Sequence, residues 1–486
     1  MRKWLWLGVL VVALFAVRMF FALQTPYLSS DESYLYVRGA DALADGRLLW
    51  FDALGFGGRL WLRSPVFEAF VALASFVLPF SLAVKVVPNF FAALVAVPVF
   101  LIAFELTRND RLSLAASLLA GLVPVFFGGT FNQLSPVSLA LFLFFSLVYL
   151  WMARPIPVPL FLVLLLLFVF VHPLSVIFVL GLLCYFLLQV IDGQAVEPTE
   201  FELGLFTVFF SLWAQFLVYK RAFLVHGAGV IWQNIPDALR SEVFASISLL
   251  EAIVLVGAYP LAEGIYALYR SGGAQDRRVN VLLGITVLAA GLLWFKLVDL
   301  LTGLMVLGIV LAILFAKWSD MFLHFLRLTK VSRYAGVIVS LSVVFALVTT
   351  AVPAYALVQS QVRQTITQEE VRVLSDLGAR GEGAVVAPVE FGHYVEWFAG
   401  LPTVIDAHFL LRPKVEERYR DVTRVFRTFS ETEAVMLMAK YNATYIVVPV
   451  GYPDIKYGEG KCFDRVWAGN MKVYEKDSAC EVRVVS

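Results

Sequence analysis

The chain has 486 residues, 60% hydrophobic and only 15% charged, with a formal net charge of +1 and a mean hydropathy of +0.82. So few charges exclude an ordinary soluble domain, in which about a quarter of residues would be charged. The near-zero net charge gives no reason to expect nucleic acid as a partner. Apolar runs long enough to cross a bilayer recur along the chain, which predicts a polytopic α-helical membrane protein in contact with membrane lipid.

In chain order, the first apolar segment, 4–23, follows Arg2 and Lys3. It has no small-residue cleavage site and is read as an uncleaved first span. Further spans are predicted near 84–106, 112–128, 135–152, 158–171, 174–191, 201–222, 243–269, 279–295, 300–317 and 334–357. With short ones counted, that makes about eleven. The segment 65–80 is apolar but short, carries Glu68 and has a proline at each end, so it reads as a re-entrant or interfacial helix. With the N-terminus in the cytoplasm, most loop Lys and Arg fall in 107–111, 153–157, 270–278 and 318–333, as the positive-inside rule requires, while 192–200 is acidic. This orientation predicts a multi-pass plasma-membrane protein whose first loop, 24–83, and C-terminal region face outward.

Two domains follow: a transmembrane domain, 1–357, and a soluble extracytoplasmic α/β domain, 358–486. In the second, GAVVAPV and ATYIVVPV read as short buried strands, and ITQEEVRVLSDLGARG and SETEAVMLMAKYN as helices. The second helix begins with a capping-box pattern. Cys184 lies in an apolar run and reads as an inert core residue. Cys462 and Cys480 flank the strand-like MKVYEK, and a disulfide between them requires an oxidising, extracytoplasmic setting; the sequence leaves the pairing open.

The stretch most suggestive of chemistry is TPYLSSDESYLYVRGADALADG, 25–46. Ser29 and Glu32 fit a capping box, with Asp31 in the first helical turn, where an anion is favoured. That accounts for both acids without any catalysis. The loop that holds them is far longer than an ordinary connection, however, and its GFGG at 55–58 permits a close backbone approach. A carboxylate there, Asp31 or Glu32, suits a general base or a metal ligand. Lys296, between two short apolar spans, and Arg18, near the outer end of the first span, are cations in apolar surroundings and so functional candidates, though a lysine there also snorkels. Glu390 and His393 lie in PVEFGHYVEWF, at a predicted strand end.

Taken in order, these segments resemble the GT-C membrane glycosyltransferases, and most of all the catalytic subunit of archaeal and other prokaryotic oligosaccharyltransferases. SDESYLYVRGADALADG is similar to the first-loop Asp helix of that family. LPFSLAVKVVPNFFAALVAVPVFLIAFELTRNDRLSLAASLLAGLVPVFF is similar to the two-span unit that follows it. VVAPVEFGHYVEWFAGLPTVIDA, with Thr403 and Asp406, resembles the surroundings of the family's WWDYG signature. RVFRTFSETEAVMLMAKYNATYIVV resembles the helix and strand after it. The resemblance implies a donor carried on polyprenyl phosphate, an acceptor that is a protein, a lipid or a glycan, and Asp31 near the acceptor. It also implies a divalent cation, Mg or Mn, with Asp31 as a ligand. The chain departs from the pattern, since the D-x-D position reads TFNQLSPVS and the WWDYG position reads PVEFG, with Glu390 at the acid. That leaves metal-independent transfer as the other possibility and argues against ordinary sequon recognition. In the family an Arg near the lipid phosphate corresponds in place to Lys296. The expected function is sugar transfer from such a donor on the outer face. The alternatives are a non-catalytic paralogue that binds lipid-linked sugar and a lipid transporter.

Overall fold

Helices cover every predicted apolar run in the computed structural model, which describes residues 2–271, 276–458 and 460–480, without the side chains of 243–245. Residues 272–275 of the expected loop 270–278 therefore lie outside the described residues. Among the described residues, six helical runs are long and apolar enough to cross a bilayer, or up to eight if two bent pairs each count as one span. The pairs are Asp110–Gly121 with Pro124–Thr130, bent by 51°, and Leu249–Val256 with Ala258–Ser271, bent by 84°. The sharper bend has a local cause: Gly257 lies between its two helices at φ +103°, outside the helical range. The helices Val137–Met152, Val158–Val171 and Ser175–Ile191 coincide with three more predicted segments but have 16, 14 and 17 residues, short of the ~20 a bilayer needs. The helix Val66–Ser75 has 10 residues, about 15 Å, and is too short to cross.

The chain divides into two compact units. The first comprises Met1–Pro26, Ala74–Lys220 and Glu242–Gln364, and so holds the apolar helices. Of the helical runs long enough to cross, Leu300–Arg327 is the most enclosed, with 78% of its apolar window buried. The second unit comprises Tyr27–Leu73, Arg221–Ser241 and Thr365–Ser486. The first loop thus clusters with the C-terminal region rather than with the spans that flank it in sequence.

The second unit is built on a four-stranded sheet. Its strands are β3 (Ala384–Val386), β4 (Ala443–Val448), β5 (Phe463–Ala468) and β6 (Lys472–Lys476), in the order β3-β4-β6-β5. β3 and β4 run parallel, and the other pairs are antiparallel. A separate two-stranded ribbon, β1 (Phe51–Asp52) with β2 (Arg59–Leu60), lies in the first loop. Val404, Ile405, Val435, Met438, Ile446 and Tyr474 belong to the apolar core of the unit. Cys462 and Cys480 are bonded, with their Cα atoms 5.6 Å apart. The helix Gln368–Arg380 opens with a full capping box from Thr367 and Glu370. In Glu431–Lys440 only half of the expected box forms: Ser430 accepts from the Glu433 N–H, while the Glu433 carboxylate accepts from the Thr428 hydroxyl.

The capping box expected at Ser29 and Glu32 is not formed. The helix runs Asp31–Ala44, its N-cap is Ser30, and no side chain caps it. Glu32 is therefore the second helical residue, one position short of the third, where the box needs its acid. It is exposed and lies 3.5 Å from Arg63. The sequence reading also missed β5 and the helices Gly392–Phe398 and Val415–Arg427.

Gly392 opens the helix that carries His393, and a Cβ there would lie 2.7 Å from Asp406 Cβ and 2.8 Å from Asp406 Cα. Gly392→Ala should therefore destabilise the protein by about 1–3 kcal/mol, as over-packing does, and this is read as a fall in melting temperature.

Candidate active site

The helix Asp31–Ala44 brings Asp31, Tyr34 and Arg38 to one face at i, i+3 and i+7. All three meet the short helix Gly392–Phe398. Asp31 Oδ1 accepts the Tyr394 N–H at 2.8 Å. The Tyr34 ring packs against those of Tyr394 and Phe398, each 5.0 Å away. Arg38 pairs with Glu396 at 2.5 Å. Asp31 is 7% exposed, and its second oxygen, Oδ2, is buried without a hydrogen-bond partner. Burial pushes its pKa up to about 7, against the opposing pull of His393 and the backbone N–H groups of Tyr394 and His393. One oxygen is anchored and the other is buried without a partner, an arrangement suited to accepting a proton at neutral pH.

Beside Asp31 lies a buried ion network. Arg59 Nη2 meets Asp52 at 2.8 Å, and its Nη1 meets Asp406 at 2.8 Å. Arg38 also pairs with Asp52, and Arg412 with Asp406. Glu396 accepts from the Thr403 hydroxyl at 2.8 Å and lies 2.9 Å from His393 Nδ1. Three carboxylates, Asp52, Glu396 and Asp406, thus face three guanidiniums, Arg38, Arg59 and Arg412. Burial opposes the charge on Asp406, but Arg412 and Arg59 outweigh it and hold the carboxyl well below its ordinary range. Burial also disfavours a charged His393, but Asp406, Glu396 and Asp31 together raise its pKa above the ordinary value. Asp31 and His393 are the two groups left over from the balanced set.

The turn between β1 and β2 positions Arg59, the first residue of β2, because its backbone comes close to the C-terminal segment. Phe56 N–H donates to Thr403 O at 3.0 Å, and Thr403 N–H to Leu54 O at 3.0 Å. Gly55 has no room for a side chain, since a Cβ would lie 2.8 Å from an Arg412 nitrogen. Gly55 thus serves a backbone approach to the C-terminal segment, while Gly57 and Gly58, at φ +78° and +67°, make the turn.

His393, Glu396 and Asp406 hold ligand atoms within 4.8 Å of one another, the spacing a metal trio requires. The donor set does not suit a divalent cation. Both Asp406 oxygens are bonded to arginines, and the Glu396 oxygens are engaged by Thr403, Arg38 and His393. A divalent ion would add two positive charges to a cluster already neutralised. Asp31 is not one of the trio.

The other sequence candidates lie elsewhere. Glu390 is exposed and accepts from the Tyr452 hydroxyl at 2.8 Å. In the first unit, Lys296 is exposed at φ +57°, and Asp299 caps the next helix through the Thr302 N–H. Arg18 is 1% exposed. It donates to Asn89 at 3.0 Å and Thr130 at 2.5 Å, lies over the Phe127 ring, and leaves Nη1 without a partner. Among the described residues it has no carboxylate within ion-pair distance. Thr130 belongs to TFNQLSPVS, so a hydroxyl bound to an arginine stands where the acidic motif was expected. Lys85, a cation the sequence reading passed over, donates to Ala22 O at 2.7 Å and to Thr25 O at the end of the first helix. Arg38, Asp52, Arg59 and Glu396 were also passed over, and the one available signal was the i, i+7 spacing of Arg38 from Asp31.

The chain has the fold of the GT-C membrane glycosyltransferases, although no family model and no curated protein matches its sequence. The archaeal oligosaccharyltransferase AglB from Archaeoglobus fulgidus, solved with an inhibitory peptide and a dolichol-phosphate, matches with a TM-score of 0.62 at 13% identity, over 90% of this chain and 69% of that one. ArnT from Cupriavidus metallidurans bound to undecaprenyl phosphate matches with a TM-score of 0.58 at 11% identity, over 97% of this chain and 98% of that one. The arabinofuranosyltransferase AftD from Mycobacteria matches with a TM-score of 0.52 at 14% identity, over 98% of this chain and 40% of that one. At such identities the shared property is the fold, and with the apolar helices it makes this a multi-pass membrane protein.

Because Arg59 serves two buried carboxylates, Arg59→Met should cost about 3–5 kcal/mol. Thermal denaturation should show a larger loss than for Lys296→Met, whose side chain is exposed.

Proposed function

We propose that the chain is a membrane glycosyltransferase that moves a sugar from a polyprenyl-phosphate-linked donor to an acceptor on the extracytoplasmic face. The reading rests on one observation above all: a buried carboxylate, Asp31, with one oxygen fixed and the other unpartnered. Asp31 Oδ2 takes the proton of the acceptor nucleophile as that atom bonds to the anomeric carbon. The bond from that carbon to the phosphate oxygen breaks, and the phosphate leaves with the electron pair. Arg18 contributes the cation, with Nη1 donating to the lipid phosphate; a buried arginine with no carboxylate is costly in an apolar unit unless an anion meets it. Its burial and unfilled donor favour it over Lys296. The lipid phosphates bound by AglB and ArnT support a donor of this kind, and the acceptor peptide tethered to the Archaeoglobus fulgidus oligosaccharyltransferase in a further structure supports an acceptor of macromolecular type. Asp31 serves as a base and no step requires a metal. The region 358–486 would form the extracytoplasmic part together with the first loop.

Asp31→Asn and Asp31→Ala should each reduce transfer from a lipid-linked sugar by at least 10²-fold. A variant that keeps full activity would refute the role. The wild-type kcat/KM should fall about tenfold per unit of pH below about 7 and level off above it, because only the carboxylate accepts a proton. The stability effect has the opposite sense. A raised folded-state pKa favours the folded protein at low pH, and this contribution is lost as pH rises through about 7. Asp31→Asn, which cannot ionise, should therefore melt no lower than wild type at pH 8.

Arg18→Met should raise the KM for the lipid-linked donor about 10- to 100-fold, in line with the loss of one charge-assisted contact of roughly 1.5–3 kcal/mol. An unchanged donor KM would remove Arg18 from the phosphate site.

A further inference from the structure

Away from Asp31, the second unit contains a cavity of about 310 Å³, near the lower end of the ~300–1,000 Å³ range of ligand sites. One wall is the segment 226–240 and the other is 412–416. Among its lining residues are His226, Trp232, Asp237, Arg240, Arg412 and Glu416.

The walls are pinned to one another. Asn234 Nδ2 donates to Phe409 O at 3.2 Å, and the Asp237 N–H donates to Glu416 Oε1 at 2.5 Å. The backbone of both walls is strained. Gln233, Asn234, Leu411 and Lys414 have φ between +51° and +59°, four of the eight non-glycine residues with positive φ among those described. Left-handed backbone at such residues costs of order 1–3 kcal/mol each and persists only where the surroundings impose it. Here it shapes a cavity.

The lining chemistry is specific. Trp232 supplies an aromatic face, and Arg240 lies 4.7 Å from its centroid and 2.7 Å from Asp237. Two buried nitrogens have no partner, His226 Nε2 and Arg412 Nε. Arg412 is 1% exposed, and its other nitrogens are engaged by Val404 O and Asp406. Its Nε–H is thus a donor in want of an acceptor. The charges nearly cancel: Arg240 pairs with Asp237, Arg412 with Asp406, and Lys414 lies 3.6 Å from Glu417. An anion finds no free cation there, and an apolar ligand would leave the buried nitrogens unmet. A ligand with an apolar C–H face and a ring of hydroxyls satisfies both demands.

We infer that this cavity is a saccharide subsite for a neutral sugar residue, stacked on Trp232 and hydrogen-bonded by Arg412 and His226. The inference deepens the transferase reading and rests on it for the origin of the glycan, a sugar of donor or acceptor remote from the reacting bond. Arg412 joins the subsite to Asp406 and so to the network beside Asp31.

The test is saturation-transfer NMR on the full chain in nanodiscs, free of sugar-headed detergent. The probes are D-glucose, D-mannose and N-acetylglucosamine, with sulfate as competitor. The expected result is millimolar binding of at least one sugar, weakened at least tenfold in Trp232→Ala, largely restored in Trp232→Phe, and indifferent to sulfate. Absence of binding by all three, equal binding in Trp232→Ala, or displacement by sulfate overturns the inference. Asp31→Asn separates the two proposals, because it should bind the sugar as wild type does while losing transfer. Retained transfer in that variant would reject the base without touching the subsite.

Discussion

The buried junction at Asp406 organises the second unit. Arg59 and Arg412 converge on this one carboxylate, and Arg59 carries the connection on to Asp52. Removing an ion from water costs several kcal/mol unless another charge meets it in good geometry. The first loop and the C-terminal segment each carry half of the required charge, so neither buries its own part alone. The GFGG turn, Gly392 and the backbone bonds at Thr403 are the local means by which the two halves approach.

The same economy of charge singles out Asp31. With Arg38, Arg59 and Arg412 committed to Asp52, Glu396 and Asp406, no guanidinium is left for it. Its counterpart is His393, whose own proton is held by the neighbouring acids. A carboxylate in that position is neither silenced by an arginine nor bathed in solvent, and its affinity for a proton rises. The network thus satisfies the acids around Asp31 and leaves burial to lift its pKa to about 7. The oxygens of Glu396 and Asp406 and the Nδ1 of His393 are spoken for in the same way.

Much of this was legible in the sequence. The apolar runs marked the helices because burial in lipid demands continuous hydrophobicity, and the ordered motifs pointed to Asp31 and His393. The ion network was not legible. Arg59 and Asp406 are 347 residues apart, and no periodicity links them. The capping pattern at Ser29 misled by one residue, since the helix starts after Ser30 and the first-turn acid Asp31 bonds across to the Tyr394 N–H. Arg18 was visible as a cation in an apolar run, but its burial against Asn89 and Thr130 depends on two other helices. β5, with its mixed pattern FDRVWA, escaped because an edge strand need not alternate cleanly.

The second unit is assembled from three separated stretches of chain. At ordinary synthesis rates of about 5–20 residues per second, the 347 residues between Arg59 and Asp406 take roughly 20–70 s to make. Throughout that time Asp52 and Arg59 have emerged without the partner that completes their network, while the intervening spans are inserted one after another. The first loop therefore cannot reach its final form during early translation. The network can close only after Glu396, Asp406 and Arg412 have been made, and a chain that stops before them carries Asp31 without the surroundings that raise its pKa.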